Sequence, residues 1–249
     1  MADTAATPPI QVKSLRKSFG DQIVLNGIDL EVARGETLAV LGRSGTGKSV
    51  LLKLLIGLQR PDSGSIRIHG QEIAGLAMAQ LNEIRKKIGF LFQSAALYDS
   101  LTVEENVAFP LKRHTNMPEV ERRQRVRELL SSVGLAKDLD KMPADISGGM
   151  QKRVGLARAL ALSPDVLLCD EPTAGLDPIT AGEIGELIMG LQKDRKMTSI
   201  IVTHDIHGAR AVSDRLALMR DGNILVEGTY EHLQQSRDQF VVQFLRAGS

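Results

Sequence analysis

Eight residues, GRSGTGKS at 42–49, carry the strongest chemical signal in the chain. Gly42, Gly45, Gly47, Lys48 and Ser49 satisfy G-x-x-x-x-G-K-S/T, the loop that cradles nucleotide phosphates. Glycines let the backbone wrap closely round an anion, with successive N–H groups turned inward. A helix starting at the end of the loop adds a partial positive charge. Lys48 is placed to reach the β- and γ-phosphates, and the Ser49 hydroxyl to ligate Mg2+. Arg43, Ser44, Thr46 and Val50 fill the remaining positions around the bound nucleotide. An apolar run at 38–41 precedes the loop and a helix-like run at 50–58 follows it. That strand–loop–helix setting separates the motif from an ordinary glycine turn.

Carboxylates come next. VLLCDE at 166–171 is an apolar strand ending in two acids. Alone it reads as a strand end with solvated acids; downstream of a phosphate loop it reads as a Walker B strand. Asp170 would hold Mg2+ through water, and Glu171 would polarise the attacking water as general base, a role worth about 10²–10⁴ in rate. Gln93 ends another apolar run, 88–92, from which it could reach Mg2+ or that water. His204 follows SIIVT and could donate to a γ-phosphate or to the lytic water. Ser147, Gly148 and Gly149 open a long helical stretch, either as a plain N-cap or as a second donor-rich anion site. Cys169, in mid-strand, reads as a small buried apolar residue.

These residues need a scaffold, and the composition allows one. The chain has 249 residues, 43% hydrophobic and 24% charged, which suits one globular α/β domain with a subdomain. Net charge is +1, tryptophan is absent and aromatics are 3%, so a nucleic-acid partner and base-stacking platforms are not expected. One cysteine excludes an internal disulfide and fits a reducing compartment. No run approaches the roughly 18–20 apolar residues that cross a bilayer. The start, MADTAATPP, lacks the basic flank and apolar core of a secretory signal, and residues 1–9 are expected to form a mobile tail.

Residues 10–32 alternate and predict two strands turning at Gly20 and Asp21. PDSG at 61–64 predicts a turn, followed by short strands around SIRIHG. Residues 78–87 predict a helix whose basic end, Arg85, Lys86 and Lys87, is a solvated face. From 94 to 162 the pattern becomes helical, with Pro110 and Pro118 as breaks and the charges of 121–127 on a solvated face. The α/β alternation then resumes, with a helix after Pro178, another from about Ile206, and a hairpin through Asp221, Gly222 and Asn223. An amphipathic piece, QFVVQFLRA, closes the chain, which shows no internal repeat.

In this order the pieces resemble the ATP-binding subunits of ABC transporters: P-loop at 42–49, Gln93, ISGGM at 146–150, VLLCDE, AGLDP at 174–178, and His204. The resemblance runs from about residue 10 to 230. It implies a P-loop NTPase (RecA-like) α/β core, an antiparallel β subdomain and an inserted α-helical subdomain over about 94–162, with residues 231–249 as a C-terminal helical segment. It also implies ATP and Mg2+ as cofactors. Phe19 matches the aromatic that stacks on adenine, where composition alone suggests a core phenylalanine, and Val24 would cover the other side of that pocket. Ser147, Gly148 and Gly149 match the signature motif, which contacts the γ-phosphate of ATP held by a second copy. Asp177 matches the loop that crosses the dimer interface. Ile146 and Met150 depart from the usual LSGGQ, so polar contacts from its fifth position are lost.

A finer resemblance lies in QSAALYDSLTVEENVAFPL, SGGMQKRVGLARAL and DEPTAGLDPITAGEIGELI, which are similar to ATPases of MCE-domain lipid transport systems, the Mla type included. Met150 itself fits that subgroup. The implied partners are a second copy of the chain, a membrane permease docking near residues 94–101 (Ser94 to Leu101), an MCE-domain lipid-binding subunit and a small cytoplasmic accessory subunit. Ala95, Ala96, Leu97 and Tyr98 suit that docking groove. The implied place is the cytoplasmic face of a bacterial inner membrane, and no regulatory domain is expected after the last hairpin. An amino-acid or other small-solute importer would share every catalytic motif. A soluble ABC ATPase of translation or DNA repair fits less well, because neither a second such domain nor a long coiled coil is present. Glu171 and His204 argue against a P-loop protein without turnover.

Overall fold

The computed structural model describes residues 7–247. The chain begins with β1 (Ile10–Phe19), β2 (Gln22–Val32), β3 (Thr37–Leu41), α1 (Lys48–Leu55), β4 (Ser63–Ile68), β5 (Gln71–Glu72), α2 (Met78–Arg85) and β6 (Ile88–Leu91). A helical stretch follows: α3 (Val103–His114), α4 (Glu119–Ser132), a 3-10 turn at Pro143–Asp145, and α5 (Gly148–Ala159). The rest is β7 (Val166–Asp170), α6 (Pro178–Arg195), β8 (Thr198–Thr203), α7 (Ile206–Val212), β9 (Arg215–Arg220), β10 (Asn223–Gly228), α8 (Tyr230–Gln234) and α9 (Gln239–Ala247).

Two sheets result. A four-stranded antiparallel sheet has the order β2-β1-β4-β5, and a six-stranded sheet the order β10-β9-β3-β8-β7-β6. In the larger sheet only β10 is antiparallel, through a hairpin at Asp221 and Gly222, both with positive φ as a type I′ turn requires. The parallel strands are buried on both faces, so they read as continuous apolar runs. Their two-residue period still sorts side chains between layers. Leu38, Val40, Val166, Leu168, Ile200 and Val202 face the antiparallel sheet and α1. Leu167, Cys169 and Ile201 face the helical subdomain and α6, while Ala39 and Leu41 face α7 and α9.

The helical insertion begins with a cap that its sequence spells out. Thr102 and Glu105 form a reciprocal capping box at the start of α3. Pro110, expected as a break, lies inside α3 instead. Val107, Ala108 and Leu111 around it are buried against α4 and α5, and that packing outweighs the one lost backbone hydrogen bond. Pro118 does mark a boundary, as the N-cap of α4. Arg85, expected on a solvated face, instead donates to the carbonyls of Ile56 (2.9 Å) and Gly57 (3.0 Å) at the end of α1. Those carbonyls have no partner within their own helix, so a neighbouring cation serves them. The tail expected over residues 1–9 lies outside the described residues as far as residue 6. Beyond it, Pro9 is buried and its carbonyl accepts the His69 N–H at 2.8 Å.

Asn106, 0% exposed on α3, holds the segment that enters the insertion. Its Oδ1 accepts from the Tyr98 N–H at 2.8 Å, and its Nδ2 donates to the carbonyls of Tyr98, Leu101 and Thr102. Asn106→Ala strands these buried groups. It should cost about 1–3 kcal/mol in denaturant unfolding and speed amide exchange at Tyr98.

Candidate nucleotide site

Four of the chemically distinctive residues lie where parallel strands end. Ser44 follows β3, Gln93 follows β6, Glu171 follows β7 and His204 follows β8. In open α/β sheets ligands bind in the crevice beyond these carboxyl ends. Here that crevice is a cavity of about 360 Å³, lined by those four together with Gly45, Gly47, Lys48, Ser49, Val50, Phe19 and Val24. The antiparallel sheet contributes the last two at one mouth. Phe19 is 46% exposed, which makes it a surface ring beside a cavity and not a core phenylalanine.

The phosphate loop depends on two glycines. A Cβ on Gly42 would lie 2.7 Å from the Met219 carbonyl oxygen. Gly47, the N-cap of α1, has φ +100°, and a Cβ there would meet the Val24 carbonyl oxygen at 2.9 Å. The backbone therefore runs against β9 and β2 with no room for side chains. Gly42, Arg43 and Thr46 do not line the cavity: Thr46 donates to the Arg43 carbonyl at 2.9 Å, and Lys48 donates to the Gly42 and Arg43 carbonyls at 2.8 and 3.1 Å. The Lys48 ammonium also lies 3.5 Å from Glu171 Oε1.

Asp170 and Glu171 are adjacent in sequence but do different work. Asp170 accepts from the Ser49 hydroxyl at 2.7 Å. Burial raises its pKa, and the neighbouring Glu171 adds to the rise, while the Ser49 hydrogen bond and the Lys53 and Lys48 ammoniums oppose it. Glu171 leaves the strand in the left-handed region, φ +46°, which turns its side chain from the ladder into the cavity. Its Oε2 lies 2.9 Å from His204 Nδ1, so His204 touches the carboxylate. Cys169 is fully buried and its thiol is pushed up to about 12 by that burial, as its apolar reading requires.

The donor set fits Mg2+. Ser49 Oγ and Asp170 Oδ1 are hard oxygens already side by side, and Gln93 lines the same cavity. Among the described residues no group of three His, Cys, Asp or Glu could hold a metal alone. One carboxylate and one hydroxyl, completed by phosphate oxygens and water, is the arrangement that Mg2+ commonly takes.

Ser147, Gly148, Gly149 and Asp177 do not line this cavity. The Ser147 hydroxyl caps α5 by accepting from the Met150 N–H at 3.3 Å. Gly149 is pressed against α6, where a Cβ would meet Thr180 Cγ2 at 2.6 Å, whereas a Cβ on Gly148 would meet nothing closer than 3.7 Å. Asp177 caps α6, accepting from the Ile179 and Thr180 N–H groups and from the Thr180 hydroxyl at 2.6 Å, which holds its pKa low. Two cations, one buried and one half-buried, were not anticipated. Lys152 and Arg158, both on α5, donate to main-chain carbonyls near the site. A signal existed: Lys152 falls on the same helical stripe as Gly149, Gly155 and Leu156, a stripe otherwise small or apolar.

Residues 25–174 match the ABC transporter family. The chain is 43% identical over 240 residues to the intermembrane phospholipid transport system ATP-binding protein MlaF of Haemophilus influenzae, covering 96% of this chain and 91% of that protein. The chain belongs to the ABC transporter family. It is an ATP-binding subunit and an ATP hydrolase, with the cassette fold expected of one. A relative named for ribonucleotide transport, the ATP-binding protein mkl of Mycobacterium leprae, is 46% identical over 95% of this chain and 68% of its own. The methionine import ATP-binding protein MetN of Brucella abortus is 43% identical over 90% of this chain and 60% of its own. Among solved structures, the dimeric ATP-binding cassette MJ0796 in a post-hydrolysis state with ADP and Pi superposes with TM-score 0.82 at 35% identity, covering 88% of this chain and 98% of that one. CbiO1 of Clostridium perfringens, part of an ABC transporter complex, gives 0.84 at 32% identity, covering 97% and 98%.

Two substitutions separate binding from turnover. Lys48→Ala removes the ammonium and should weaken ATP affinity roughly 10- to 100-fold in equilibrium titration. Glu171→Gln keeps the shape of the site, so ATP should still bind while kcat falls by about 10²–10⁴ in a phosphate-release assay.

Proposed function

We propose that this ATPase powers the movement of lipid, and of phospholipid in particular, between bacterial membranes. The observation that carries this reading is the likeness to MlaF over nearly the full length of both chains. The reading places the subunit on the cytoplasmic face of the inner membrane, beneath a permease seated near residues 94–101. An MCE-domain lipid-binding protein and a small cytoplasmic accessory subunit complete the assembly. Tyr98 and Phe109 support the docking role: both rings are partly exposed and stack with centroids 4.7 Å apart, an aromatic surface on the helical subdomain. No described helix is long and apolar enough to cross a membrane.

Within the site, Phe19 and Val24 hold the adenine, and the backbone of residues 42–50 with Lys48 holds the phosphates. Ser49, Asp170 and Gln93 would hold Mg2+, which would supply neutralisation of phosphate charge. Glu171 takes the proton of the attacking water, and His204 fixes the carboxylate for that task. Ser147, Gly148 and Gly149 serve the nucleotide of a second copy, and Asp177 lies at the seam, so two chains enclose two ATP molecules. The dimeric form of the solved cassette supports this arrangement. Ser147→Arg should then leave ATP binding by the isolated chain intact and block hydrolysis; full activity would exclude a composite site.

The likeness to MetN favours a second reading, a small-solute importer. Purifying the chain with its complex from native membranes separates the two. An MCE-domain protein and a permease in the complex are expected, and a solute-binding protein in their place would overturn the lipid reading.

A further inference from the structure

Lysine is almost never fully buried unless paired, yet Lys152 is only 5% exposed. It lies on α5, five residues after Ser147. Its ammonium donates to the main-chain carbonyl of Gln93 and, at 3.2 Å, to that of Glu171. These carbonyls belong to two different strand ends, after β6 and β7, and to two residues that line the nucleotide cavity. Both lie where a strand has just finished, and one cation joins them.

The rest of Glu171 is equally restrained. Its N–H donates to the Val202 carbonyl at 2.9 Å, and its carboxylate meets Lys48 and His204. With φ at +46°, the residue turns out of the strand after that bond, and its carbonyl accepts from the Ala174 N–H and from the Lys152 ammonium, each at 3.2 Å. On the Gln93 side, α5 grips the chain a second time. Arg158 donates to the carbonyls of Ala95 and Ala96 at 2.5 and 2.7 Å, and both alanines have left-handed φ. Helix α5 therefore holds the Gln93 segment at two points and the Glu171 backbone at one.

We propose that Lys152 is a positioning residue: by bridging the Gln93 and Glu171 carbonyls it sets the separation at which their side chains face one reacting centre, and it ties that separation to the helix begun by Ser147. This rests on the roles assigned above to Gln93 and Glu171. Lys152 touches no substrate. Its effect is on geometry, so it acts on turnover and on metal use ahead of nucleotide affinity, which the loop of residues 42–50 supplies.

The test compares the full-length chain with Lys152→Met and Lys152→Gln. Methionine has similar length and no donor, while the glutamine amide keeps two N–H donors without charge. Steady-state hydrolysis, the Mg2+ concentration for half activity, binding of a fluorescent ATP analogue without Mg2+, and thermal unfolding are read on each. Lys152→Met should lower kcat by about 10²-fold and raise the Mg2+ requirement, with analogue affinity unchanged. Lys152→Gln should recover part of the lost kcat. An unchanged kcat in Lys152→Met overturns the proposal. So does a loss of kcat and analogue affinity together, in step with a lower melting temperature. If the methionine variant does not fold, Lys152→Gln decides: parental kcat together with a raised Mg2+ requirement, or a kcat loss with intact analogue binding, supports the bridge, whereas parental values for both overturn it. Glu171→Gln, run alongside, keeps the two readings apart. Normal hydrolysis by that variant defeats the assignment of Glu171 itself, whereas a dead Glu171→Gln beside a normal Lys152→Met defeats only the bridge.

Discussion

A buried ammonium beside a buried carboxylate is the interaction on which the site is built. Lys48 and Glu171 approach to 3.5 Å where solvent scarcely reaches. Taking such charges out of water costs several kcal/mol each unless geometry and further hydrogen bonds compensate. The compensation comes from distant parts of the chain. The Gly42 and Arg43 carbonyls serve the ammonium, and His204 serves the carboxylate. Each partner sits at the end of a different parallel strand, so the order β3-β8-β7 in the large sheet is what brings them together. The ammonium is thus fixed in place at the cavity wall, held by two carbonyl oxygens and the Glu171 carboxylate.

Much of this was legible in the sequence because the signals are local. Strand positions follow from apolar runs, the phosphate loop from glycine spacing, and the final hairpin from Asp221 and Gly222, whose positive φ angles a tight turn demands. Phe19, Val24, Gln93, Glu171 and His204 line the same cavity as the loop; Gln93, Glu171 and His204 stand in the motif order, whereas Phe19 and Val24 were named only through the family resemblance. What sequence reading missed was set by contacts between distant residues. Arg85 looked solvated because nothing nearby shows that the end of α1 lies against it. Pro110 looked like a helix break because a local rule cannot weigh the packing of Val107 and Leu111. Lys152 and Asn106 serve carbonyls and amides exposed by chain turns, and those turns exist only once the strands have paired.

The two faces of the chain differ in how finished they are. The cavity by the phosphate loop has its polar groups matched to one another. Ser147 and Asp177 are also matched, but to the first turns of their own helices. Capping of that kind takes up amides at the start of each helix: the Met150 N–H in one, the Ile179 and Thr180 N–H groups in the other. Gly148 adds open space there, since a Cβ would meet nothing closer than 3.7 Å.

Cys169 offers a last consequence. Its sulfur sits in the middle of β7 with no solvent contact, and its thiol is held far above neutral pH. Thiolates are the species that alkylating agents and oxidants attack. The chain's sole cysteine is therefore chemically silent while the sheet is intact. New cysteines placed on the surface for spectroscopic or cross-linking probes can be labelled without first removing it, and any label it does acquire marks molecules whose central sheet has opened.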